Sequence, residues 1–208
     1  MNHSVSKRFA LFLKAFFILA AMACLGWADS WQGLKETAAT VTAVKAEFVQ
    51  EKHMQILARP LVSNGAFLFR APDSLRWEYS APIKSVLVMH NGQVRRFVHK
   101  DGHLVEDAAA GLQSMQVVLQ QITQWLNGRF DENPAFSAAL EPGPKIVMTP
   151  KEKALARLIQ RIEIVLAEQP GVLESVTIFE SKDSFTRLVF KNVTLNPRLG
   201  DTAFSIIQ

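Results

Sequence analysis

Residues 48–97 read FVQEKHMQILARPLVSNGAFLFRAPDSLRWEYSAPIKSVLVMHNGQVRRF. Short apolar runs alternate with turn chemistry, and almost no helical periodicity is present. Phe67 and Phe69 fall on one face of a strand, with Ala66 and Leu68 on the other. Leu75, Trp77 and Tyr79 alternate with Ser74, Arg76 and Glu78, the period-2 pattern of a strand with one dry face. Ser63-Asn64-Gly65 and Ala71-Pro72-Asp73 read as breaks. Asn91-Gly92 between two β-type runs predicts a two-residue hairpin, because both turn residues take positive φ there. Lys100-Asp101-Gly102-His103 predicts a second. Turn signals at this spacing indicate an antiparallel meander, hence a sandwich or barrel.

Working outward, residues 44–57 form a preceding strand, with Val44, Ala46 and Phe48 on its dry face. Before it, Trp31, Leu34, Ala38 and Val41 recur at helical spacing behind Ser30, a candidate N-cap. After the meander, residues 111–127 switch to a helical period. Leu112, Met115, Leu119, Ile122 and Trp125 share one face, glutamines occupy the other, and Gly128 stops the run. No charged residue occurs from Leu112 to Asn127, whereas a solvent-facing helix ordinarily carries charged pairs. Two readings stand at this point: a cover lying on something apolar, or a plain crossover helix. The β pattern resumes over 136–140 and 146–148, and KEKALA at 151–156 favours one helical turn. Strands over 158–166, 172–180, 185–195 and 203–207 complete the sheet, for roughly ten strands in all.

The N-terminal residues have a different character. Lys7 and Arg8 precede an apolar run from Phe9 to Ala23, and Gly26-Trp27-Ala28 puts small residues at −3 and −1 of a cleavage site. This is the pattern of a secretory signal peptide over residues 1–28, leaving a single domain over 29–208. Only 14 uncharged residues separate Lys14 from Asp29, short of the roughly 20 that span a bilayer. The 208-residue chain carries a formal net charge of +4, and Lys7, Arg8 and Lys14 account for most of it. The remainder, near +1, offers no basic patch for nucleic acid. Cys24, the one cysteine, lies in the same segment, and Ala21-Met22-Ala23 makes a poor lipidation box. Cleavage after Ala28 leaves a chain held by its core and not by disulfides. The short charged region and the cleavage site indicate a bacterial periplasmic protein.

Catalytic signals are lacking. The sequence has no GxSxG elbow, no phosphate-cradling glycine loop and no HExxH, and its histidines show no metal-ligand spacing. The reading is therefore non-enzymatic, with no cofactor and no metal. What stands out is the apolar inventory, softened by Met54, Met89, Met115 and Met148. A β shell with an apolar lining and an uncharged helical cover suits an acyl chain. Burying one methylene gains roughly 0.8 kcal/mol, so a long chain represents on the order of 12 kcal/mol and crosses water only when shielded.

Several segments, in this order, resemble the LolA-type outer-membrane lipoprotein carrier proteins: Phe48-Val49-Gln50, Ser63-Asn64-Gly65-Ala66-Phe67, Pro72 to Tyr79 with its P-x-x-L-x-W, Val86 to Gly92, Val147-Met148-Thr149-Pro150-Lys151 and Ala203-Phe204-Ser205-Ile206. The resemblance covers almost all of 30–207. It implies an incomplete, strongly curved antiparallel β-barrel of about 10–11 strands with a helical lid around an apolar cavity. It also implies a monomeric carrier that takes an acylated lipoprotein or lipid cargo from an inner-membrane transporter to an outer-membrane acceptor. In a carrier, the candidates for the cavity wall are Phe48, Phe67, Phe69, Leu75 and Trp77, together with Met89, Phe97, Ile164, Ile178 and Phe190. The implied lid residues are Met115, Leu119, Ile122 and Trp125. Well-studied members have an Arg directly before the motif's proline, where it latches the lid. Here that residue is Ala71, and Arg70, one place earlier, faces the other way in a strand. The alternatives are an envelope interaction or regulatory module on the same fold, and a hydrolase of envelope lipid or glycan.

Overall fold

The computed structural model describes residues 30–107 and 122–205. Eleven antiparallel strands form one sheet in the order β6-β5-β4-β3-β2-β1-β11-β10-β9-β8-β7. The sheet curls strongly without closing, an incomplete barrel with helices. The first meander contains β1 (Ala43–His53), β2 (Leu61–Arg70), β3 (Ser74–Ala81), β4 (Ser85–His90), β5 (Gln93–Lys100) and β6 (His103–Glu106). The second contains β7 (Phe136–Glu141), β8 (Lys145–Pro150), β9 (Arg161–Leu166), β10 (Leu173–Phe179) and β11 (Phe185–Leu195). β1 joins them, pairing with β2 on one side and β11 on the other. Helix α1 (Trp31–Ala39) precedes β1, with the Ser30 side chain accepting from Gly33 N. The described part of α2 covers 122–126, and α3 (Lys153–Ala156) is a single turn.

Every neighbouring pair is antiparallel, so the connections alternate between two rims. Loops 54–60, 82–84, 101–102, 151–160 and 180–184 share one rim. The opposite rim carries 71–73, 91–92, 142–144 and 167–172. Asn91 and Gly92 both have positive φ, as the hairpin signal requires, and so do Asp101 and Gly102.

Ser63-Asn64-Gly65 does not break the chain. All three lie inside β2, and the irregularity there is a register shift against β3 between Asn64 and Gly65. Glycine is needed for space. A Cβ at Gly65 would run into the Glu78 carbonyl oxygen and the Phe48 ring. Further register shifts occur opposite Lys45/Glu47, where β11 carries the extra residue, and at Leu173/Ser175 in β10. Such bulges bend a strand and add twist, which is how a flat ladder acquires curvature.

The final segment departs from expectation as well. Asp201–Phe204 is a 3-10 turn and not a strand, and residues 206–207 lie outside the described part. Phe204 packs on the convex face with Val86, Val88 and Phe97. Arg70 holds this turn. It donates to the Leu199 carbonyl at 3.0 Å and to Asp201 at 2.6 Å, with its guanidinium 5.0 Å from the Phe204 ring centre. Arg76 adds a bond to the Ser205 carbonyl at 3.0 Å. Arg70 therefore faces away from the concave side, as the alternation required.

Substituting Gly65→Ala is expected to cost about 1–3 kcal/mol through overpacking. At this chain length that lowers Tm by about 2–4 °C per kcal/mol. A thermal melt no lower than wild type would show that both the Phe48 ring and the β3 backbone at Glu78 can give way here.

Candidate functional site

The concave face carries the main core. Its centre is aromatic: Phe48 and Trp77 lie 4.8 Å apart between ring centres, Phe67 and Trp77 5.3 Å, and Phe67 and Phe190 6.1 Å. Above this floor is a cavity of about 490 Å³, within the roughly 300–1,000 Å³ range of ligand-sized cavities. Phe67, Trp77, Ile178 and Phe190 line it. Val44, Ala46, Val176 and Leu188 complete the apolar wall.

The other expected wall residues sit elsewhere. Phe48, Phe69, Leu75, Met89 and Ile164 are buried in the main core and do not line the cavity. Phe97 points to the convex face, opposite Val86, in the second cluster. The residue facing the cavity from that strand is Arg96, paired across the sheet with Leu87. Arg96 also forms an ion pair with Asp107 at 3.0 Å.

Helix α2 supplies the cover. Ile122, Trp125 and Leu126 line the cavity, while Met115 and Leu119 lie outside the described residues. The end of α2 is anchored to α1. Gly128 sits so close to Ala38 and Lys35 that a side chain would collide, and it needs φ +71° besides. Lys35 reaches Asp131 at 3.1 Å and Glu132 at 2.9 Å, and Trp31 lies 6.4 Å from Phe130. Buried Asn133 donates to Gln124 of α2 and accepts from the backbone N–H groups of Ala135 and Phe136. The cover is thus tied down at its C-terminal end. The Trp125 indole N–H is buried and finds no acceptor among the described residues, a group that costs about 1–3 kcal/mol when left unpaired.

Polar groups gather at one end of the cavity. Gln50, Tyr79, Ser85 and Thr186 line it there, and the register puts all four toward the rim formed by loops 54–60, 82–84 and 180–184. The Tyr79 hydroxyl donates to Gln50 Oε1 at 2.8 Å. Burial raises the Tyr79 pKa. The Trp77 indole, near the hydroxyl but without a properly formed hydrogen bond, and the Arg96 charge pull it back in part. Sequence reading missed this polar end. The Leu75-Trp77-Tyr79 alternation already put Tyr79 on the inner face, and Gln50 follows Phe48 by the same parity.

The model of the family described as outer membrane lipoprotein carrier protein LolA matches residues 39–207 of the chain. No curated protein matches it. Among solved structures, it is similar to a DUF1329 family protein from Desulfovibrio piger, with 11% identity over 85% of this chain and 98% of that one and a TM-score of 0.44. A LolA superfamily protein from Nitrosomonas europaea gives 8% identity, the same coverages and a TM-score of 0.42. A chain of the Pseudomonas aeruginosa MucA/MucB complex gives 14% identity over 86% of this chain and 60% of that chain, with a TM-score of 0.41.

Tyr79 is the only tyrosine in the chain, so its ionisation can be followed by absorbance without interference. The midpoint is expected above the usual value of 10.0. Because the folded state holds the proton more tightly than the unfolded chain, stability falls as pH rises from about 10 through the folded midpoint. A midpoint at or below 10 would mean the hydroxyl is solvated.

Proposed function

Since the chain belongs to the LolA family of outer membrane lipoprotein carrier proteins, we propose that it is a periplasmic carrier. In this reading it shields the acyl chains of a lipoprotein or other acylated molecule on the way from the inner to the outer membrane. The observation that carries the reading is the 490 Å³ apolar cavity between the curved sheet and Trp125 of α2. The acyl chain lies on the Trp77–Phe190 floor, and the polar end at Gln50 and Tyr79 faces the head of the cargo. Apolar contact is non-directional, so such a wall accepts chains of differing length and releases them when the cover moves. Removal of residues 1–28 by a signal peptidase delivers 29–208 to the periplasm, where an inner-membrane transporter loads the monomer and an outer-membrane acceptor unloads it. The chemistry needs no catalytic group, cofactor or metal.

Ala71 and Arg70 bear on the cargo. With Ala71 before the proline, and Arg70 committed to Leu199 and Asp201 on the convex face, the lid is held by contacts other than an arginine latch. This supports a cargo different from that of the members that carry the arginine.

Protein purified without detergent is expected to bring acyl lipid visible by mass spectrometry, and the stripped protein to take up a fluorescent fatty acid. Ile178→Trp fills the cavity and should weaken that uptake about tenfold, the loss of roughly two buried methylenes. Ile178→Ala, folded to the same extent by circular dichroism, should retain it. Stripped wild-type protein that melts cooperatively yet takes up no fatty acid would defeat the carrier reading.

A further inference from the structure

We propose that the rim formed by loops 54–60, 82–84, 101–102, 151–160 and 180–184 docks onto the surface of an anionic lipid bilayer. The starting observation is where exposed apolar side chains lie. Among the described residues, seven large hydrophobics are exposed. Ile56 (83%), Leu57, Ile83 (71%) and Leu158 (69%) stand in the loops of this rim, and Leu61 and Val62 begin β2 directly beside it. The seventh, Val105, is on the edge strand β6 next to Val98, which pairs with Ser85 at the start of β4. None is on the opposite rim. Exposed apolar side chains are ordinary when scattered, and their concentration at one end of a β shell marks a contact surface.

Charge points to the partner. The loops of this rim carry Arg59, Lys84, Lys151, Lys153, Arg157 and Lys182, against Asp101, Glu152, Glu180 and Asp183. Glu180 is itself paired with Lys52 at 3.3 Å. The loops of the opposite rim, with residues 196–200, carry Asp73 and Glu168 against Arg198. Apolar tips interspersed with cations are the chemistry of a surface that enters the interface of a bilayer with anionic headgroups: the apolar part enters the acyl boundary and the cations stay at headgroup level.

The loop that carries Ile56 and Leu57 is also braced. Met54, Leu57, Arg59, Lys182 and Phe185 surround one open hollow, so 54–60 leans on the β10–β11 turn. His53 stacks on Phe185 at 4.2 Å, and Gln55 N donates to Ser184 Oγ at 3.4 Å. Ile56 is thereby presented outward on a supported loop. The rim is continuous with the site: Ser85 is the first residue of β4, Thr186 the second of β11, and both line the polar end of the cavity. A membrane in contact with this rim faces that end directly. The docking proposal rests on the exposed loops alone and does not require the carrier reading, although together they place cargo transfer at a bilayer surface.

Vesicle flotation tests it, with wild type and variants prepared in the same N-terminal form. Wild-type protein is expected to float with vesicles of mixed phosphatidylcholine and phosphatidylglycerol, and to bind pure phosphatidylcholine vesicles, or mixed vesicles at high salt, about tenfold more weakly. The double substitution Ile56→Asp with Ile83→Asp, at two exposed positions, should reduce binding to mixed vesicles about tenfold or more while leaving the thermal melt unchanged. Arg198→Glu on the opposite side should leave binding as it was. No flotation of wild type, or undiminished flotation of the double variant, overturns the proposal. The second outcome would instead assign the exposed tips to a protein partner. Fatty-acid uptake measured on the same samples separates the two readings, since its failure touches the cavity and not the rim.

Discussion

Phe48 faces Gly65 across the β1–β2 ladder and Phe190 across the β1–β11 ladder. It sits on the strand that joins the two meanders, and its ring occupies the space that a side chain at residue 65 would need. The rest of the concave face depends on this one accommodation. With the ring laid over Gly65, Trp77 and Tyr79 pack against it at 4.8 and 5.3 Å, and Phe67 and Phe190 close around Trp77. Such aromatic contacts contribute about 0.5–1.5 kcal/mol each beyond the area they bury. They also make a rigid floor, because large rings with few rotatable bonds cannot collapse into the space above them. A floor of flexible aliphatics would relax into the cavity and fill it.

The two faces of the sheet solve different problems. The concave face keeps space open over a fixed floor and covers it with a helix that is fastened near Gly128, Lys35 and Asn133. The convex face has only a thin apolar cluster, and it is shielded by the chain's own end. Arg70 and Arg76 hold the 199–205 segment over Val86, Val88 and Phe97. The Arg70–Asp201 pair keeps the Asp201 carboxyl below its usual pKa, although this pair sits at the surface, where ion pairs add little to stability. What matters there is the cover Phe204 provides, with its ring stacked on His90 and under the Arg70 guanidinium.

Much of this was legible in the sequence, and the misses share a cause. Turn chemistry located nearly every hairpin, and alternation placed Phe67, Trp77 and Phe190 on the inner face. Alternation fixes which residues share a face, but it does not say which face is inside when both are apolar. In β4, Val86 and Val88 face out while Leu87 and Met89 face in. Phe97 follows Val86 outward, so an arginine and not a phenylalanine meets the cavity. Nor does a pattern report depth along a strand. Phe69, Leu75 and Ile164 share the inner face with the cavity residues but lie where side chains meet and fill the space. Ser63-Asn64-Gly65 was misleading because glycine serves close approach as readily as reversal of direction. Residues 203–207 read as a strand, but a single 3-10 turn over Asp201–Phe204 buries Phe204 equally well.

The sheet ends on β6 and β7 and does not close on itself. In a closed barrel, strand number and stagger fix the girth, and widening it means breaking a continuous ladder of backbone bonds. Here the two ends are short strands with charged side chains beside them, Arg95 and Glu106 at one and Glu141 and Lys145 at the other, a composition that discourages edge-to-edge association. With no strand pairing across that seam among the described residues, the shell can change circumference by flexing along its curl. Bulkier contents are then met by a change in shape of the whole wall, at a cost in bending and not in hydrogen bonds.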